Sequence, residues 1–293
     1  MKVGYFAVGI GPFVDPALIK LIATTTERLG FSTLWAPEHV VLLAEYSSRY
    51  PYSAGEFPMP VETPINDPFT TLSFAAAVTS KIRLATGICL VPEHNPVILA
   101  KITATLDHLS GGRFVLGTGI GWLEEEFQAI GVPWERRAHR TREYIESMRS
   151  LWAGDRSSYS GEFVNFRGAL SYPKPVNAKR IPVWFGGESG PALRRVAEYG
   201  DGWIGFNLSP AEAAPKIKKI EELLKAAGRK RSEIEIACSP YGKPITADDL
   251  KRYRDAGAEE IALVRFDMPA DPREIVTQLE QMAREYVEPA AKL

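Results

Sequence analysis

Much is scarce in this chain of 293 residues. It has only two cysteines, Cys89 and Cys238, each inside an apolar strand-like run and neither spaced for a metal, which excludes a disulfide scaffold and suits buried thiols in a reducing cytoplasm. No stretch reaches the roughly 18 to 20 apolar residues that span a bilayer. The opening MKVGYFAVGIG alternates as a strand does and lacks the apolar core and cleavage site of a secretory signal, so a cytoplasmic location with no membrane partner is expected. Neither sign of charge is in excess: Lys plus Arg number 35 against 36 for Asp plus Glu, leaving no field to gather nucleic acid. The four histidines never fall at ligand spacing with cysteine or carboxylate, so no metal site is expected. No linker, repeat or low-complexity tract divides the chain, and residues 1 to 293 are read as a single domain.

What is present is alternation. Eight strand-like runs stand at 2–8, 32–38, 82–91, 114–120, 182–187, 202–207, 233–239 and 260–266. Between them lie stretches with apolar residues at helical spacing, several ending at a glycine suited to a C-terminal cap, and a last one, DPREIVTQLEQMAREYV, follows the eighth run. Eight strand-then-helix units in this length predict a closed (β/α)8 TIM barrel, an α/β fold, in preference to an open doubly wound sheet. Two segments break the pattern. Residues 40 to 67, rich in Pro, Tyr and Ser, form an inserted loop after the second strand, expected to cover the C-terminal face; residues 154 to 181, before the fifth strand, hold a candidate hairpin, SYSGEFVNFRG.

Two glycine-rich turns invite a chemical reading. GRFVLGTGIGW (112–122) superficially suggests a dinucleotide fingerprint, but its glycines lack the required interval and Glu124, Glu125 and Glu126 follow at once, repelling a pyrophosphate. At the end of a barrel strand these glycines would let a flat ligand approach the backbone. WFGGESGPALRRVAEYGDGW (184–203) is the better phosphate cradle: Gly186 and Gly187 end a strand, Ser189 follows, and Pro191 opens a helix whose first N–H groups are unpaired, with Arg194 and Arg195 to add charge.

In order along the chain, APEH (36–39), ATGICLVPEHNPVILAK (85–101), LSGGRFVLGTGIGWLEEEFQAIGVPWERR (109–137) and FGGESGPALRRVAEYGDGW (185–203) together resemble the bacterial luciferase-like superfamily, most closely its branch of oxidoreductases that use the deazaflavin F420. The resemblance covers the chain to about residue 207. It implies a ring bound at the C-terminal mouth, supported from behind by a cis peptide bond between Gly87 and Ile88. It also implies ring or substrate contacts from Pro37, Glu38, Gly119, Ile120 and Trp122, and tail contacts from Gly186, Gly187, Glu188 and Ser189. Homodimers are common in such families, so a homodimer is implied by the resemblance.

His39, which ends the second strand beside Glu38 in a position that resembles the family's acidic–histidine pair, is the expected catalytic residue. An imidazole titrates close to neutrality, and hydride transfer to a carbonyl, imine or alkene needs a proton partner that the hydride itself does not bring. His94 is a second, weaker candidate. The helix dipole alone accounts for the three glutamates at 124 to 126. Trp122, Trp203 and Phe206, with Tyr46, Tyr50 or Tyr52 from the loop, suggest an aromatic mouth for an apolar or planar small-molecule substrate, core packing being the other reading for some of these rings; Arg265 points to the mouth or the core according to strand register and is a candidate contact for an anionic group. The expected activity is hydride transfer between the C5 of F420 and such a substrate. An FMN-dependent monooxygenase using oxygen is the alternative, although Ile120 stands where luciferase itself carries an arginine after the fourth strand. A non-catalytic cofactor-binding relative is the third reading.

Overall fold

The structure, a computed structural model, describes residues 1–53, 55–177, 180–265 and 269–293. Its strands are β1 (Lys2–Phe6), β2 (Thr33–Ala36), β3 (Arg83–Thr86), β4 (Cys89–Leu90), β5 (Phe114–Gly119), β6 (Ser157–Ser160), β7 (Asn165–Ala169), β8 (Val183–Gly186), β9 (Gly202–Phe206), β10 (Glu235–Ser239) and β11 (Glu260–Leu263). Eight of them pair in parallel in the order β1, β2, β3, β5, β8, β9, β10, β11, and β11 returns to β1 with Lys2 opposite Glu260, so the sheet closes. This is the expected (β/α)8 barrel. The eighth strand-like run is described only to Arg265, and its last residue, Phe266, lies outside the described residues.

Strand parity sorts the side chains. Phe6, Trp35, Ala85, Val115, Trp184, Ile204, Ala237 and Ala262, one from each barrel strand, meet in a single cluster on the axis. Their neighbours, among them Tyr5, Leu34, Phe114, Phe185, Trp203 and Ile261, pack outward under the helices. Trp203 is thereby removed from the mouth where sequence reading set it. It is fully buried on the helix side, and its indole N–H donates to the Gly187 carbonyl at 3.0 Å.

Below the axial cluster, at the N-terminal ends of the strands, sits Glu260. Its carboxylate is fully buried and accepts from the Trp35 indole at 3.0 Å, the Thr33 hydroxyl at 2.9 Å and Arg83 Nη2 at 2.7 Å. A Cβ on Gly4 would lie 2.6 Å from Glu260 Oε1, which explains the glycine there.

The helices are α1 (Pro16–Arg28), α2 (Pro68–Ala76), α3 (Pro96–Leu109), α4 (Glu124–Ala129), α5 (Arg137–Ala153), α6 (Gly190–Tyr199), α7 (Pro210–Ala226), α8 (Ala247–Asp255), α9 (Pro272–Met282) and α10 (Glu288–Ala290). A cap residue followed by proline starts many of them: Asp15, Asp67, Asn95, Ser209 and Asp271 each precede a proline and accept a first-turn N–H. The helix expected after the eighth strand instead passes through a wider π turn at Ala283–Val287 between α9 and α10.

The third strand-like run, read as continuous from 82 to 91, is broken. β3 ends at Thr86, the peptide bond joining Gly87 to Ile88 is cis as the resemblance implies, and β4 then pairs only with β5, Cys89 opposite Thr118. The expected hairpin before the fifth barrel strand is present as antiparallel β6 and β7. Described residues between β2 and α2 form no regular element; an Ile10–Ile65 bridge and hydrogen bonds from Gly11 N to Pro64 and Asn66 N to Gly9, both 2.9 Å, lay this segment across the mouth.

Candidate functional site

The C-terminal ends of the strands and the 40–67 segment enclose a cavity of about 610 Å³, roomy enough for a tricyclic ring with a tail. Its floor is Ile88. A Cβ on Gly119 would fall 2.4 Å from Ile88 Cδ1, and one on Gly186 would fall 2.9 Å from the same atom. A Cβ on Gly117 would stand 2.0 Å from the Thr86 carbonyl oxygen. Gly117 and Gly119 of GTGIG thus make room for the protein's own third strand, while a Cβ on Gly121 would instead fall 2.5 Å from the Phe127 ring; a ligand would meet Ile88 resting on Gly119 and Gly186.

One wall is aromatic. Phe57 stacks on Trp122 with ring centroids 6.0 Å apart, and His39 and Tyr50 meet the same indole edge-on at 5.8 and 5.2 Å. Tyr52, Phe206 and Tyr241 continue it, with Phe206 4.4 Å from Tyr241. Tyr46, expected to touch substrate, is not among the lining residues: it packs behind Trp122 at 5.9 Å and accepts the Phe57 N–H. Arg265 does line the cavity.

His39 sits in this wall with its Nδ1 2.9 Å from Glu126 Oε2. Glu126 is fully buried, and its second oxygen accepts the Val40 and Val41 N–H groups at 2.6 and 3.1 Å. Sequence reading missed this partner because a helix start rich in glutamate needs no further explanation. The three glutamates in fact diverge around the short helix: Glu126 turns inward, while Glu125 accepts the Ser47 and Ser48 N–H groups at 2.6 and 3.2 Å and so ties down the covering segment.

Pro37 and Glu38 line the cavity, and both oxygens of Glu38 are engaged. Oε2 accepts from Leu90 N at 2.5 Å, and Oε1 lies 2.9 Å from His94 Nε2. Burial disfavours a charged His94 ring, yet the hydrogen bond and charge of Glu38, with Asp67, outweigh it and hold His94 above its ordinary range. Folding brings Glu38, Cys89 and His94 together, their donor atoms all within 4.8 Å, a grouping invisible in the spacing. Burial, then Glu38, pushes the Cys89 thiol far up, so the cluster is knit by hydrogen bonds with the thiol protonated.

At the start of α6, Gly187 holds a φ of +97° and Ser189 caps the helix, its hydroxyl accepting the Ala192 N–H at 3.3 Å. Glu188 lines the cavity with its carboxylate turned to Phe206 N, 2.8 Å away, and to the Tyr52 hydroxyl; burial outweighs these bonds and raises its pKa. Beside this turn stand Arg195 and Arg137, the latter lying over the Trp134 ring at 3.4 Å. Their Nε atoms are buried without a hydrogen-bond partner. Burial lowers the pKa of both; for Arg137 the charge of Glu124 opposes this and that of Arg195 adds to it, so an anion between the two arginines would offset their burial and their mutual repulsion. Arg137 went unnoticed in the sequence. Arg194, named there with Arg195, is exposed and off the cavity.

The profile of the family described as luciferase-like monooxygenase matches residues 6–289. An uncharacterised protein of Mycobacterium tuberculosis is 37% identical over 261 residues, 88% of this chain and 89% of its own length. The solved structure of the coenzyme F420-dependent tetrahydromethanopterin reductase of Methanopyrus kandleri superposes with a TM-score of 0.75 at 20% identity, covering 98% of this chain and 99% of its own. The oxygenating constituent of 3,6-diketocamphane monooxygenase from Pseudomonas putida, in complex with FMN, gives 0.74 at 15% identity, covering 99% and 98%.

Proposed function

This chain belongs to the luciferase-like monooxygenase family, and from that premise we propose that it is an F420-dependent oxidoreductase acting on a small apolar or planar organic substrate. When bound, the deazaflavin supplies a hydride donor or acceptor at C5. The chain's own residues do the rest. Ile88 would support the ring, and Trp122, Phe57 and Tyr50 would exclude water and favour an apolar substrate beside it. Glu126 fixes His39 through Nδ1, leaving the other ring nitrogen to give a proton to, or take one from, the reacting oxygen or carbon.

The observation that carries F420 over FMN is the cationic corner. Two arginines with unpartnered Nε atoms, beside the Ser189-capped helix start, suit a tail that bears anionic groups beyond its phosphate, whereas FMN ends at one phosphate. Titration of the purified protein with F420 and with FMN, read by quenching of each cofactor's fluorescence, tests this. Tighter binding of F420 is expected. Tighter binding of FMN, with oxygen consumed when reduced FMN is supplied, would transfer the protein to the flavin monooxygenases.

A further inference from the structure

Beside the main cavity lies a second, of about 330 Å³, lined among others by Glu38, His39, Asp67, Glu93 and His94. Among the described residues, no lysine or arginine lines it. Glu38 and His39 line both cavities, so the imidazole stands in the partition between them. Asp67 is exposed, marking the solvent side.

The charged and titratable groups around this cavity come from four directions: Glu38 and His39 after β2, Asp67 before α2, Cys89, Glu93 and His94 from β4 and its turn, and Glu126 from α4. Their donors are unequally shared. Glu126 receives two backbone N–H groups and faces the His39 ring; Glu38 receives the Leu90 N–H and faces the His94 ring; Asp67 accepts the Thr70 N–H at 2.6 Å. Glu93 receives none. Both its oxygens are buried with no hydrogen-bond partner, and the side chain feels Glu126 and Glu38. A buried carboxylate with like charges nearby and no donor is costly, whereas the neutral acid can donate to water in a polar cavity of this size.

We propose that Glu93 is the proton carrier for His39, and that the small cavity conducts protons between solvent at Asp67 and the His39–Glu126 pair. The inference rests on the reading of His39 as the group that exchanges a proton with substrate. After His39 Nε2 has given its proton to the substrate, Nδ1 staying on Glu126, the O–H bond of Glu93 breaks, its electron pair stays on the carboxylate, and the proton crosses cavity water to form a new N–H bond at Nε2. A solvent proton then restores the O–H bond, and nothing is oxidised or reduced. Burial first, then Glu126 and Glu38, push the Glu93 carboxyl up to about 9, so it holds its proton at neutral pH.

The test needs neither cofactor nor substrate. In protein with isotope-labelled histidine, the His39 ring signals, assigned with His39→Gln, are followed against pH by NMR, and the carbonyl stretch of a protonated carboxyl is sought by infrared spectroscopy. The wild-type protein is expected to keep that infrared band at pH 7 and to show a His39 inflection near pH 9; both vanish in Glu93→Gln, and exchange of the His39 ring proton with water slows about tenfold. A wild-type protein with no such band or inflection overturns the proposal, whatever the variant does. So does unchanged ring-proton exchange in Glu93→Gln, or a stoichiometric divalent metal in the purified protein that Glu93→Gln releases. Because no cofactor is present, failure here leaves the F420 reading standing, and failure of F420 binding leaves this result standing.

Discussion

Glu126 and Glu93 are both buried glutamates near one histidine, and the difference between them lies in their donors. Glu126 meets His39 Nδ1 with one oxygen and two backbone N–H groups with the other, so Glu126→Gln removes the charge and sets an amide N–H₂ against Nδ1, favouring the tautomer that carries its proton on Nε2. It should destabilise the protein by about 1 to 3 kcal/mol in urea denaturation and lower turnover, with His39 no longer held. His39→Ala should lower turnover about 100-fold while leaving cofactor affinity within a factor of about two, read by steady-state kinetics beside fluorescence titration. Arg195→Ala should do the reverse, weakening cofactor binding about tenfold with less effect on the chemical step. The sequence showed His39 because it ends the second strand beside Glu38, where the resemblance implies an acidic–histidine pair. Its partner was hidden because Glu124, Glu125 and Glu126 are equivalent until the helix is built and one of them faces inward.

The covering segment belongs to the scale of elements. Its composition marked residues 40 to 67 as a cover, but nothing in the spacing could reveal that Glu125, 78 residues from Ser47, pins it. Glu125 is lightly buried, and although desolvation works against the carboxylate, hydrogen bonds from Ser47 and Ser48 lower its pKa to about 2. A carboxyl whose folded value is depressed contributes stability above its unfolded value, near 4.5, and that contribution is lost as pH falls toward 2. Amide hydrogen exchange at residues 47 and 48 should therefore stay slow through mildly acidic pH and rise only as the carboxyl protonates, whereas Glu125→Ala should make it fast at every pH. The broken third strand was equally illegible from composition: ATGICLV reads as one apolar run. Only the ordered motifs around it pointed to a break, and the glycines across from Ile88 supply the physical reason that the displaced strand fits.

At the scale of the whole molecule, eight alternations of strand and helix made the barrel readable, since each unit must bury one face and the ring closes when the eighth meets the first. The polar floor was not readable, for Glu260, Arg83 and Thr33 are scattered over the chain and become neighbours only through register. Glu260→Ala removes the acceptor for the Trp35 indole and a partner of Arg83, and should destabilise the fold by about 3 to 5 kcal/mol in denaturant titration, with cofactor affinity intact in the protein that remains folded. That separation follows from the axial cluster, which acts as a watertight bulkhead across the barrel. The molecule is a cup, not a pipe: a substrate that enters over the rim leaves over the same rim, and a bulky product trapped beneath the segment that follows β2 bars the next arrival until it departs.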